Sequence, residues 1–184
     1  DNETLIKMAI DLGIDTPDFI PSVPVFRNTI KAEYPTASAT FEKAIKAIET
    51  DPDTAIGLAN SALESILKEI LKHPCIQLNK EVNKETLYSL VCSILKVYQL
   101  FPDENMPTEF KTIGSSLISI AKSIESVRSE RTNFHGKCAN DVVISDPMYA
   151  YMLVNSITTV GLFLNSFFKK YIKNKSNDSD EEIV

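Results

Sequence analysis

One ten-residue stretch of this chain is built for chemistry rather than for a core: Arg128-Ser129-Glu130-Arg131-Thr132-Asn133-Phe134-His135-Gly136-Lys137. It is strongly polar, and it holds one of only two histidines together with two of the few arginines. Residues i, i+3 and i+7 share a helical face, so Arg128, Arg131 and His135 would align if a helix persisted that far. A guanidinium and an imidazole converging on one spot suit phosphoryl chemistry. Imidazole titrates near neutrality and moves protons, while Arg offers a fork of donors to non-bridging phosphate oxygens and keeps its charge. The competing reading is a solvated helix end, with Arg128 in a surface ion pair to Glu125 or Glu130 worth little.

The elements that must position this stretch are helical. Five glycines in the whole chain argue against a turn-rich β architecture, and the nine prolines fall almost entirely between apolar-periodic segments. Residues 3–12 read as a short amphipathic helix stopped by Gly13, and residues 14–35, with Pro17, Pro21, Pro24 and Pro35, as an extended arm with at most a helical turn. Phe41, Ala44, Ile45 and Ile48 fall at helical spacing over 36–49. Asp51-Pro52 supplies an N-cap and a first-turn proline for a helix striped by Ile56, Ala59, Leu63, Ile66 and Ile70, which ends before Pro74.

A third long helix is expected over about 84–100, capped by Asn83, with Leu87, Leu90, Val91, Ile94, Leu95 and Tyr98 facing inward. A fourth starts near Pro107 and carries Phe110, Ile113, Leu117, Ile120, Ile124 and Val127; it should run out in the polar stretch, where Asn133 and Gly136 offer stop chemistry. The last opens at Asp146-Pro147 and runs to about residue 173 along Ala150, Leu153, Ile157, Val160, Leu164 and Phe167. Tyr151, Met152, Val154 and Phe168 widen its apolar surface. A helix so broadly apolar is either central in its bundle or packed on another subunit. The expected fold is all-α: an antiparallel bundle of four long helices over 36–173, a short N-terminal helix and arm over 1–35, and an acidic disordered tail over 174–184.

Charge and composition bound the partners. The composition, 43% hydrophobic and 24% charged, is that of an ordinary globular domain. The net charge of −6 counts against nucleic acid until it is located: without Asp178, Asp180, Glu181 and Glu182 the remainder carries −2, and Lys169, Lys170, Lys173 and Lys175 form a basic cluster just before them. Three cysteines, Cys75, Cys92 and Cys138, form no C-x-x-C pair and point to a reduced, cytoplasmic compartment. No uninterrupted apolar run reaches a membrane span, so no membrane partner is expected. The chain opens on Asp rather than Met, which leaves room for an upstream segment.

Cofactors and metals are not called for. There is no Walker-type or dinucleotide glycine loop and no nucleophile elbow. His73-Pro74-Cys75 lacks a second ligand pair nearby, and His135-x-x-Cys138 is at most half a zinc site. Glu64 and Lys68 make an i,i+4 pair in the favourable order. That pair is either a surface ornament, or a sign that Glu64 borders a cleft and orients an arginine.

The run Arg128…His135-Gly136, R-x6-H-G, resembles the signature of the abortive-infection C-terminal (Abi-C) family of the HEPN superfamily. Its flanks agree. Asp51-Pro52-Asp53-Thr54-Ala55-Ile56…Ala59…Ala62-Leu63-Glu64-Ser65…Lys68-Glu69-Ile70-Leu71 resembles the family's early helix, and Asp146-Pro147…Ala150…Leu153-Val154-Asn155-Ser156 through Leu164 its final one. The similarity spans about 40–170. Ser129 follows the motif arginine where many HEPN proteins carry Asn or another polar residue, and Arg131 would give R-x3-H, outside the family spacing. The resemblance therefore assigns the motif to Arg128 and His135, with Ser129, Arg131, Asn133 and Glu64 supporting. It implies a homodimer with two motifs in one composite cleft and a metal-independent endoribonuclease acting on RNA, as a toxin or in phage defence, with an antitoxin or other defence-system protein as a further partner. The alternative it leaves open is a non-catalytic module that binds RNA or protein.

Overall fold

The computed structural model describes residues 22–74, 76, 86–97, 107–132 and 144–181. The expected helix over 3–12 lies outside them. Among the described residues there are six α-helices and no strand: α1 (Ser22–Glu33), α2 (Pro35–Ala47), α3 (Pro52–Lys72), α4 (Leu87–Val97), α5 (Thr108–Arg131) and α6 (Pro147–Glu181).

The described part of the expected arm, residues 22–35, is instead largely helical, and residues 14–21 lie outside the described residues. Val23, Phe26 and Ile30 stand at i, i+3 and i+7 in α1 and are all buried. The prolines did not prevent this. Pro24 sits in the first turn, where its missing N–H has no intrahelical partner to lose, and Pro35 opens the next helix at a favoured position. α1 and α2 fold back on each other about the single residue Tyr34. Phe26 meets Phe41 edge-on at 4.9 Å between ring centres, and Arg27 grips Glu42 through two 2.6 Å hydrogen bonds.

α3 is the hub, packing against α2, α4, α5 and α6. Its sequence explains this. Ala55, Ala59 and Ala62 are fully buried small residues that let neighbouring helices approach, while Ile56, Leu63, Ile66, Leu67 and Ile70 fill the space between. Of the two places open to the broadly apolar last helix, the central one thus belongs to α3. α6 packs one side on α1, α3 and α5 and leaves Met148, Tyr149 and Met152 exposed. By length and composition, Pro147–Lys170 of α6 could cross a membrane, but half of its most apolar window is buried in the bundle.

α1 lies parallel to α6. Ser22 meets Thr158 at 3.0 Å, Phe26 packs against Gly161, and Tyr34 donates to Asn165 Oδ1 at 2.8 Å. α6 also outruns its expected end, the backbone staying helical through the acidic stretch to Glu181. Ser, Asn and Asp are weak helix formers rather than breakers, and no Gly or Pro intervenes to stop the helix.

The two Asp-Pro starts differ. Asp146 Oδ1 accepts the Met148 N–H at 2.9 Å, a capping bond, whereas Asp51 takes the N-cap position without one. In α4 the buried residues are Leu87, Leu90, Val91, Ile94 and Leu95, as its stripe predicts. Its described start is capped by Thr86, whose hydroxyl accepts the Ser89 N–H at 3.2 Å, while Asn83 and Tyr98 lie outside the described residues. In α5 the stripe holds at Ile124, but Ile113 is exposed, because the first turns of the helix reach past the packed part of the bundle.

Candidate functional site

The seam between α3 and α5 gathers the polar residues. α5 continues four residues beyond Val127, so Arg128, Ser129 and Arg131 are all helical. It then stops. Thr132 is extended, at φ −124 and ψ 162, its hydroxyl bonds the Arg128 carbonyl, and the Ile144 N–H takes the Arg131 carbonyl at 3.0 Å. Two of the last carbonyls of α5 are thereby satisfied without a further turn. Of the expected face of Arg128, Arg131 and His135, α5 carries the two arginines. His135 and Asn133 lie outside the described residues.

Arg128 and Arg131 part company. Arg131 is exposed. Arg128 turns inward, its side chain 21% exposed, and places Nη1 3.5 Å from Glu64 Oε1 on α3. Ser129 is half-buried beside it. Of the local partners foreseen for Arg128, Glu125 accepts the Tyr88 N–H at 3.2 Å, and Glu130 accepts the Ser126 hydroxyl at 2.9 Å.

Glu64 is the focus of the cluster. Its side chain is 12% exposed, and its second oxygen faces Lys68 Nζ at 3.7 Å. Its first oxygen, the one facing Arg128, accepts the Asn60 amide at 2.7 Å. Among the described residues two cations, Arg128 and Lys68, face this one carboxylate at a partly open spot. Such a spot is suited to a phosphate, with Arg128 presenting a directional fork and Lys68 a point charge.

Asn60 is the residue that sequence reasoning missed. It is fully buried, and its Oδ1 has no hydrogen-bond partner among the described residues. The available signal was a polar side chain within a buried helical stripe, one turn before an acid. The other histidine lies elsewhere: His73 caps the end of α3 and meets Phe168 edge-on at 5.2 Å between ring centres. Among the described residues no group of three or more His, Cys, Asp or Glu is placed to hold a metal ion.

The all-helical bundle is consistent with a HEPN-like domain. The chain belongs to the Abi-C family of HEPN-like domains, whose family model matches residues 35–168. The match takes in α2 to α5 and most of α6, and leaves out α1. No curated protein and no solved structure matches the chain significantly.

Proposed function

We propose that this protein is a metal-independent endoribonuclease of the HEPN type, acting in phage defence or as a toxin, with Arg128 and His135 as its catalytic pair. His135 takes the proton of a ribose 2′-OH as it attacks the adjacent phosphate, or delivers one to the leaving 5′-oxygen. Arg128 holds the charge that develops on the phosphorane, with exposed Arg131 able to reach the same backbone. The products are a 2′,3′-cyclic phosphate and a 5′-hydroxyl. In a homodimer two such motifs share one cleft.

The observation that carries this reading is the ion pair from Arg128 to Glu64, which fixes the guanidinium at the end of α5 where the chain leaves the helix. His135 follows Thr132 by three residues, a chain length of at most about 11 Å. The Abi-C assignment supports RNA as the target.

The test is cleavage of mixed RNA in EDTA by wild type, His135→Ala and Arg128→Ala, with circular dichroism to verify folding. Loss of about 10²–10⁴ in rate in each variant, with cyclic-phosphate products from wild type, is expected. Cleavage that needs added metal, or variants that cut like wild type, would sink the proposal.

A second reading, a non-catalytic module that binds RNA or a partner protein such as an antitoxin, is favoured by one observation. Met148, Tyr149 and Met152 form an exposed apolar patch at the start of α6, the kind of surface that marks association. Light scattering decides between copies and partners, since a monomer at micromolar concentration is incompatible with a composite cleft.

A further inference from the structure

We propose that Asn60 is a positioning residue for Arg128, acting through Glu64; the proposal rests on the reading of Arg128 as the phosphate-binding arginine. Asn60 Nδ2 donates at 2.7 Å to the same Glu64 oxygen that faces Arg128 Nη1 at 3.5 Å. The amide cannot be turned around, because its carbonyl would then oppose a carboxylate oxygen, acceptor against acceptor. With Nδ2 committed to Glu64, Oδ1 is left fully buried and without a hydrogen-bond partner among the described residues. A side chain kept for stability alone would not leave a buried acceptor unsatisfied, since an apolar residue of similar size would pack there without that penalty.

What Asn60 supplies is direction. A glutamate on a helix has three rotatable side-chain bonds, and Lys68 at 3.7 Å and 37% exposure is a loose restraint on it. The short bond from a fully buried amide pins Oε1, and so sets where the guanidinium of Arg128 lies before any phosphate arrives. Preorganisation of this kind counts in turnover more than in binding.

The experiment combines Asn60→Ala, Glu64→Ala and the double variant, read by RNA cleavage, thermal unfolding and the Arg128 Nε–Hε NMR signal, assigned with Arg128→Lys. The expected result for Asn60→Ala is a cooperative unfolding transition that shows the variant folded, a shifted or broadened Arg128 signal, and a fall in kcat of about ten- to a hundredfold with little change in KM. In the Glu64→Ala background the Asn60 substitution should cost nothing more. An unchanged Arg128 signal overturns the proposal, as does a loss of kcat that adds in full to that of Glu64→Ala. If wild type does not cut RNA, the nuclease reading fails by itself, and the Arg128 signal alone then decides whether Asn60 positions the arginine.

Discussion

The ring edge of Phe26 occupies the place where a Cβ on Gly161 would have to go, with Cε2 2.6 Å from that position and Leu63 Cδ1 3.2 Å away. α1 therefore lies against α6 at a distance only glycine allows. Because Phe26 is fully buried and braced edge-on by Phe41, the ring has little room to retreat. Gly161→Ala should destabilise the protein by about 1–2 kcal/mol, overpacking outweighing the gain of about 1 kcal/mol in helix propensity. Thermal unfolding checks this, and adding Phe26→Leu should recover part of the loss.

Glu64→Ala should cost more stability than Arg128→Ala. Removing the acid leaves the buried Asn60 amide without its acceptor and takes the carboxylate away from Arg128, at about 1–3 kcal/mol. Removing the arginine leaves Glu64 still bonded by Asn60 and close to Lys68. For cleavage the order reverses, with Arg128→Ala the more damaging. Urea denaturation beside RNA cleavage reads both orders, and the same order in both measurements contradicts the scheme.

Alkaline pH should loosen the α1–α6 contact through one phenol. Tyr34 is buried and donates to Asn165, and burial, followed by the Glu33 and Glu69 carboxylates, pushes its pKa well above the ordinary tyrosine value. A pKa raised in the folded state contributes stability that is whole below the unfolded value, about 10, and is lost as pH rises toward the folded value. Stability should hold up to about pH 10 and then fall, and Tyr34→Phe should remove part of that fall. Denaturation at stepped pH, with phenolate absorbance followed alongside, measures it.

The two Asp-Pro helix starts should respond unequally to alanine. Asp146→Ala removes the bond to the Met148 N–H and should cost about 1 kcal/mol. Asp51→Ala removes no capping bond of ordinary geometry, only the weaker polar contacts with Asp53 and Thr54 that hold its carboxyl below the usual range, and should cost less. Equal losses in thermal unfolding would show that side-chain capping is not what separates these two positions.

Legibility in the sequence followed the range of the forces involved. Helical periodicity and chain-breaking residues are local, so α2 to α6 were readable, as was the end of α5 near the polar stretch. α1 was misread because its prolines were counted as separators, although Pro24 falls in a first turn and Val23, Phe26 and Ile30 already spelled a buried stripe. The extent of α6 was underestimated because polar composition signals solvation, whereas a helix ends only where something stops it.

The sequence by itself determined the all-helical class, the Arg128 to His135 motif and its family frame, since these depend on residue type and spacing along the chain. Only the tertiary structure decided which helix is central, that Arg128 turns inward while Arg131 stays in solvent, and that Arg128 meets an acid 64 positions earlier. It alone put Asn60 behind that acid. The reason is physical: a pairing between distant segments depends on how two helices rotate about their axes when their apolar faces are buried together, and spacing along one helix carries no record of that rotation.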